Sequence, residues 1–481
     1  MNLSEYTSYD GLGLAKLVAR GEVQAKELEA LALDAIEAVN PKINALAEAW
    51  PSDNGAESIA PDAPFAGVPF LIKDIAVHMR GKCTEFGSRL AEGLTAPDDS
   101  NLMRRFRRAG LVTLGRTTSP EMAFSTTTES VLNGPTGNPW DVTRSAGGSS
   151  GGAAAAVASG IVPLAHATDA AGSIRVPASF CGLFGLKPTR GRVSNGPHLD
   201  EIFNGFGVQS GVSRSVRDSA ALLDAIQGQE SGDPYAATPP ARRYLEETGI
   251  APGRLRIGLQ TRAWNGRQPS AEVLRATLEA ARLCESLGHQ VSEAEMPLGM
   301  TWEAFVHANA QIWTANLVGW VDDIGALMGR TTVRDFLEPS TVACYEYGKR
   351  VTADDFARAL GARNQVARAA ATYYENYDLI LTPQLPEVAQ PRGTYENRWI
   401  SRDGLGWTDL VFEHSPYTAI FNVAGFPAMS VPLASCASTG LPIGIQFGGA
   451  FGREDVLFRL AAQLERAAPW AQRKPAVWAG R

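Results

Sequence analysis

The run Gly147-Gly-Ser-Ser-Gly-Gly152 constrains this chain more than any other stretch, because all six residues are glycine or serine. Such a run loses much conformational freedom on folding, so it occurs either as a flexible linker or where the backbone must take unusual dihedrals or approach a ligand closely. The residues beyond Gly152 decide between them. Ala153 to Ala158 build a small-residue helix, and Thr168-Asp-Ala-Ala-Gly-Ser-Ile-Arg-Val-Pro177 then forms a second Gly-Ser turn flanked by the charges of Asp169 and Arg175. A linker does not lead into a compact apolar helix and a charged turn. The uncharged stretch from Ser145 to Thr168 has the length of a membrane span, but Gly, Ser and Ala dominate it and Pro163 interrupts it. It reads as a loop and a buried helix.

The surrounding sequence alternates strand and helix patterns. Apolar residues at helical spacing from Gly13 to Val39, broken at Gly21, predict two opening amphipathic helices. A polar, Pro-containing stretch from Pro51 to Pro64 precedes Val68-Pro-Phe-Leu-Ile72, a short buried strand that ends at the charged pair Lys73-Asp74. Ser100 to Ala109 predicts a helix whose basic residues (Arg104, Arg105, Arg107, Arg108) read as a solvated face, and Leu111 to Gly115 a strand. Further on, a helix is expected over Val216 to Gln227 with Ser215 as cap, and strands at Leu255–Leu259, Leu379–Thr382 and Ala428–Val431. Pro234 to Pro252 is the best linker candidate. Alternating elements of this kind predict an α/β protein with helices on both faces of a sheet.

Hydrolysis of an unactivated acyl bond needs a nucleophile, a base, donors for the oxyanion and an acid for the leaving group. The two Ser turns offer hydroxyl nucleophiles, and His166 is the one histidine close to them in sequence. His166 reads as a satisfied packing residue inside the small-residue region, so lysine is preferred as the base. A lysine serves only when burial depresses its pKa from about 10.4. Lys73, at the end of an apolar strand, meets that condition; the bland alternative is a surface Lys73–Asp74 pair. Asp169 and Arg175 read as a structural ion pair that fixes the turn without touching substrate.

Gly67-Val-Pro-Phe-Leu-Ile-Lys-Asp74, Gly147 to Gly152, and Ala167 to Ala178 continuing into Phe184-Gly-Leu-Lys-Pro-Thr189 together resemble the amidase-signature enzymes. The likeness extends over Gly110–Glu121, Phe421–Ala428 and Gly440–Gln446, leaving Gln260 to Tyr377 unmatched. The resemblance implies one α/β/α domain around a large twisted mixed sheet, spanning residues 1–481, with 260–377 as a variable, mainly helical insertion that shapes the pocket. It implies Lys73 as base, Ser149 on a cis peptide as proton relay, Ser173 as nucleophile and Ser150 in support. The N–H groups of Ala170, Ala171, Gly172 and Ser173 would form the oxyanion hole. No metal or organic cofactor is implied. The sequence departs from the usual pattern at Ala167 and Ala171, where glycine is common; alanine still has an N–H, so the oxyanion hole survives provided its dihedrals are not left-handed. Within the family, Asp169-Ala-Ala-Gly-Ser173 with Gly452-Arg-Glu-Asp455 is similar in spelling to the hydrolases of the 6-aminohexanoate cyclic dimer.

The reaction so implied is hydrolysis of an uncharged or apolar amide, such as an aryl or alkyl amide or an oligoamide, or of a carbamate, through an acyl-enzyme. Small molecule and water are the expected partners. The alternative is a glutamine-hydrolysing amidotransferase subunit acting on a tRNA-linked substrate; there a glutamine usually follows Ser-Ile-Arg, whereas Val176 stands here. A non-enzymatic reading fares worse, since all three chemical residue types are present. Several aromatics of the unmatched segment (Trp302, Phe305, Trp313, Trp320, Phe336, Tyr345, Tyr347) are expected mostly in the core, with a few lining the pocket.

The remaining composition bears on what the protein meets. With 481 residues, 44% hydrophobic and 20% charged, the chain has an ordinary globular balance, and its net charge of −7 argues against nucleic acid or an anionic membrane surface. Five scattered cysteines without a CxxC pair argue against disulfides and zinc, so a reducing, cytoplasmic setting is expected. Met1 to Asp10 lacks the pattern of a secretory leader. The six histidines show no HExxH spacing, and no phosphate-binding Gly-rich motif is present. Oligomeric state is not legible.

Overall fold

Several strands of this protein are buried at every position rather than at alternate ones, which requires cover on both faces. A computed structural model describes residues 1–52, 60, 62–199, 201–394 and 402–481. Its centre is an eight-stranded mixed sheet in the order Gln290–Glu293, Arg256–Leu259, Leu379–Pro383, Pro442–Gly449, Ala428–Ser435, Phe184–Lys187, Val208–Ser213 and Leu164–Asp169. The first three strands run parallel and every other neighbouring pair is antiparallel. The strands from Leu379 to Pro383, Phe184 to Lys187 and Val208 to Ser213 are buried at every position, as sheet interiors sandwiched between helices should be. This is the expected α/β/α fold around a mixed sheet.

A second, three-stranded sheet has the order Leu46–Ala49, Leu111–Thr117, Val68–Lys73. Its terminal strand, Val68–Lys73, lies against the terminal strand of the large sheet, Leu164–Asp169. Between them a side chain replaces a ladder bond: the Lys73 N–H donates to His166 Nδ1 at 3.2 Å. The two sheets therefore meet along a seam, and Lys73 stands on it.

Local chemistry accounts for the elements that surround the seam. Ser100 and Ser215 cap the helices Asn101–Arg108 and Val216–Ile226, each accepting a backbone N–H three residues on. The opening pattern resolves into Gly11–Ala19 and Ala25–Ile43, preceded by a short helix, Leu3–Ser8. Two expectations need correction. Arg105 is not on a solvated face: it is buried and donates to the carbonyls of Ile226 and Gly228 and to Glu230. The Pro234–Pro252 segment is not a free linker, because its helix Tyr244–Glu247 buries Tyr244 and ties Glu247 to Arg459. The polar stretch from Pro51 to Pro64 lies largely outside the described residues. Residues 260–377 hold the edge strand Gln290–Glu293 and the helices Ala271–Ser286, Trp302–Leu327, Pro339–Gly348 and Ala353–Tyr373.

Candidate active site

Lys73 is the group around which the site is built. Its side chain is 1% exposed, and its Nζ lies 2.7 Å from Ser149 Oγ, 3.0 Å from Ser150 Oγ and 2.9 Å from Thr168 Oγ1. Burial pulls its pKa down to about 7, against the opposing pull of the Asp169 and Asp74 charges. The amine therefore titrates near neutrality. Asp74 does not pair with it; its carboxylate takes Arg116 at 2.6 Å and the N–H groups of Glu85 and Gly87. Thr168, a third hydroxyl on the amine, belongs to no motif that singles it out, although it sits two residues from His166 and so shares its face of the strand. His166 is fully buried between Lys73 and Gln209, and burial holds it near 3 and uncharged.

The Gly/Ser run is tightly packed backbone. The Gly148–Ser149 peptide is cis. A side chain on Gly148 would lie 2.1 Å from the Thr127 carbonyl oxygen, and one on Gly152 would lie 2.5 Å from that of Ala45. Thr128 pins the run from outside: its hydroxyl donates to the Gly147 carbonyl at 2.9 Å and accepts the Gly151 N–H at 3.0 Å. These contacts explain why glycine is required on either side of the serines and why Ser149 and Ser150 are presented to Lys73.

The second turn hangs on an ion pair excluded from solvent. Arg175 grips Asp169 with two hydrogen bonds of 2.9 Å, and both side chains are fully buried. Its remaining donors reach the Thr418 carbonyl, Gln446 Oε1 and Asn422 Oδ1, while the Asn422 amide donates back to Asp169. Burial alone would raise the Asp169 pKa, but Arg175 and then Lys187 hold it below the usual carboxylate range. Asn422, Gln446 and Thr418 escape sequence reasoning because they lie 243 to 271 residues from Arg175.

One expected oxyanion donor is already engaged. The Gly172 N–H donates to Asp169 Oδ1 at 2.7 Å, which removes it from the set. The N–H groups of Ala170, Ala171 and Ser173 have no acceptor among the described residues. Neither alanine has a positive φ, whereas Gly172 has φ 131°, so alanine is tolerated at 171 and would be strained at 172. The Ala171 carbonyl is held in turn by the Thr418 hydroxyl.

Ser173 and Ser149 open into the same cavity of about 380 Å³, walled by Ile75, Ala76, Ala123, Ile202, Phe203 and Trp320 among others. Ser173 is half-buried, in contrast to the fully buried Lys73. The wall is apolar and aromatic: Phe203 stacks on Trp313 at 4.3 Å and leans on Trp320 at 4.7 Å. Three wall residues, Ala76, Ala123 and Phe203, have positive φ, a backbone geometry that costs energy and concentrates at functional sites. Of the aromatics expected near the pocket, Trp320 lines it, Trp313 backs it, and Trp302 and Phe305 pack elsewhere against Phe412. No group of His, Cys, Asp or Glu able to hold a metal occurs among the described residues.

The amidase family model matches residues 27–458 of this chain. The 6-aminohexanoate-cyclic-dimer hydrolase of Paenarthrobacter ureafaciens is 37% identical over 480 residues, covering 97% of this chain and 96% of that protein. A solved structure of 6-aminohexanoate cyclic dimer hydrolase complexed with substrate superposes with a TM-score of 0.91 at 34% identity, covering 98% of this chain and 99% of that one. A bacterial aryl acylamidase of the amidase-signature family shares the fold, with a TM-score of 0.84 at 24% identity and coverage of 96% and 97%. The chain belongs to the amidase-signature family. It is accordingly a hydrolase of carbon–nitrogen bonds in amides.

Proposed function

We propose that the enzyme cleaves uncharged or apolar amides through a covalent acyl-enzyme, with Ser173 as nucleophile, Ser149 as relay and Lys73 as base. The supporting observation is the buried Lys73 amine in hydrogen-bond contact with Ser149, in the wall of the cavity that Ser173 lines. Ser173 Oγ attacks the carbonyl carbon, its proton passes to Ser149 Oγ, and the proton of Ser149 passes to Lys73 Nζ. Ala170, Ala171 and Ser173 N–H groups stabilise the oxyanion without reorganisation. Collapse breaks the C–N bond as the proton returns through Ser149 to the leaving nitrogen. Water then attacks the ester through the same relay and releases the acid and free Ser173. Ser150 and Thr168 hold the amine in place, and Asp169 and Arg175 fix the turn.

The apolar wall suits aryl and alkyl amides and oligoamides, including 6-aminohexanoate oligomers, the class to which the substrate named for its relatives belongs. A carbamate presents the same carbonyl geometry and is included. The helical segment 260–377 shapes this wall through Trp320. The amidotransferase alternative gains no support: Val176 occupies the position where that branch carries glutamine, and the near full-length relative is a hydrolase. Five unpaired cysteines favour a cytoplasmic setting, and no described helix is long and apolar enough to cross a membrane.

A panel of p-nitroanilides and nitrophenyl carbamates tests the reading. Wild type should release chromophore, and Ser173→Ala and Lys73→Ala should each lose at least about a thousandfold in kcat/KM. Turnover surviving in Ser173→Ala, or an inert wild type that liberates ammonia from glutamine, overturns it.

A further inference from the structure

The inner cavity does not end at Trp320. Leu199, Ile202 and Trp320 also wall a second compartment, so the two are divided by one set of side chains. The second compartment opens to solvent at Glu201, Asp323 and Leu327, all of which are exposed. Trp320, Asp323, Ile324 and Leu327 recur at helical spacing on Trp302–Leu327, so one helix face runs from the inner wall to the outer rim. Phe86 and Leu94 complete an apolar floor.

The two charged side chains in the described lining of this compartment are both acidic. Its lining contains Glu201 and Asp323 but no lysine or arginine among the described residues. Asp98 stands just behind, 2.6 Å from His198. His78 stacks on His198 at 4.7 Å, and burial together with His198 holds it near 4, so it adds no positive charge at neutral pH. Two cationic groups approach from the side of Glu201: Arg190 and Arg363, which flank its neighbour Tyr235. Arg330 directs its guanidinium to the carbonyls of Arg89 and Glu92. Asp323 has no ion-pair partner among the described residues and is the least compensated charge at the rim.

We propose that the outer compartment is a second subsite for the distal end of an elongated amide, selecting an amine-bearing or neutral end and rejecting a carboxylate. This rests on the amidase reading of the inner cavity. An alkyl chain leaving the reacting carbonyl or nitrogen passes over Trp320 and delivers its far end among Glu201 and Asp323. An ammonium is attracted there, a methyl rests on the apolar floor, and a carboxylate meets like charge.

Two substrate series test it on either side of the scissile bond. The first comprises the p-nitroanilides of acetic, hexanoic, 6-aminohexanoic and adipic acids, the last as the mono-anilide. The second comprises the N-acetyl derivatives of hexylamine, 1,6-diaminohexane and 6-aminohexanoate, monitored by acetate release. In at least one series kcat/KM for the amine-ended substrate should exceed that for the carboxylate-ended one by at least tenfold, and added salt should shrink the ratio. Asp323→Lys should lower the same ratio at least tenfold, with Glu201→Gln lowering it less; a merely structural role for Asp323 would slow both substrates alike. Turnover of the acetyl and hexanoyl compounds with no charge preference in either series, or a ratio unmoved in Asp323→Lys, overturns the subsite and leaves the amidase reading standing. Inertness of every compound removes both.

Discussion

A lysine amine held near pKa 7 is inert as a base below that value and competent above it. The rate should therefore rise with pH through neutrality to a plateau, and a steady fall above pH 7 would count against Lys73. The same burial has a stability signature. Between pH 7 and about 10.4 the unfolded chain carries a proton on this lysine and the folded chain does not, so stability rises with pH over that window. The gain is about 1.4 kcal/mol per pH unit for one proton. Lys73→Met should abolish activity and flatten that slope, as urea denaturation at pH 7, 8 and 9 would reveal; an unchanged slope would mean that Lys73 is charged in the native state. At Ser173 the expectation is covalent: an activated fluorophosphonate should label this serine, and peptide mapping that finds the adduct elsewhere removes it as nucleophile.

Among the elements, the glycines divide into two kinds with opposite consequences. Gly148 and Gly152 face carbonyl oxygens too close for any side chain, so alanine at either should cost several kcal/mol or prevent folding, on the order of an overpacked core. Gly361, in the middle of Ala353–Tyr373, has open space around it. Gly361→Ala should raise stability by about 0.5–1 kcal/mol through helix propensity alone, and a melting curve shifted downward would contradict that. This division also marks what was legible in the sequence. The strands at Val68, Leu379 and Ala428 and the helix capped by Ser215 could be read because periodicity and capping act within a few residues. Lys73, Ser149 and Ser173, the proposed triad, could be put forward because they sit in three recognisable blocks. Thr168 as a third hydroxyl, the loss of the Gly172 N–H to Asp169, and the inward turn of Arg105 could not, since each depends on a partner or orientation that local pattern does not encode. The left-handed backbone of Ala76, Ala123 and Phe203 was equally invisible, because non-glycine residues give no warning of positive φ.

Over the whole molecule, the turn that carries Ser173 is anchored through Arg175 to Thr418, Asn422 and Gln446. Breaking a buried ion pair by removing one partner costs about 3–5 kcal/mol. Arg175→Met should therefore lower the denaturation midpoint markedly and reduce activity with it, while Asn422→Ala should do both to a smaller degree; an Arg175→Met protein of native stability would show that the anchor is dispensable. The distance of these anchors along the chain has a consequence for biosynthesis. On the ribosome the Ser173 turn emerges long before the segment that clamps it, and large proteins fold progressively as they are made. With Ser173 as the nucleophile, a nascent polypeptide is expected to gain hydrolytic capacity only after translation has delivered Thr418, Asn422 and Gln446, the partners that hold Arg175.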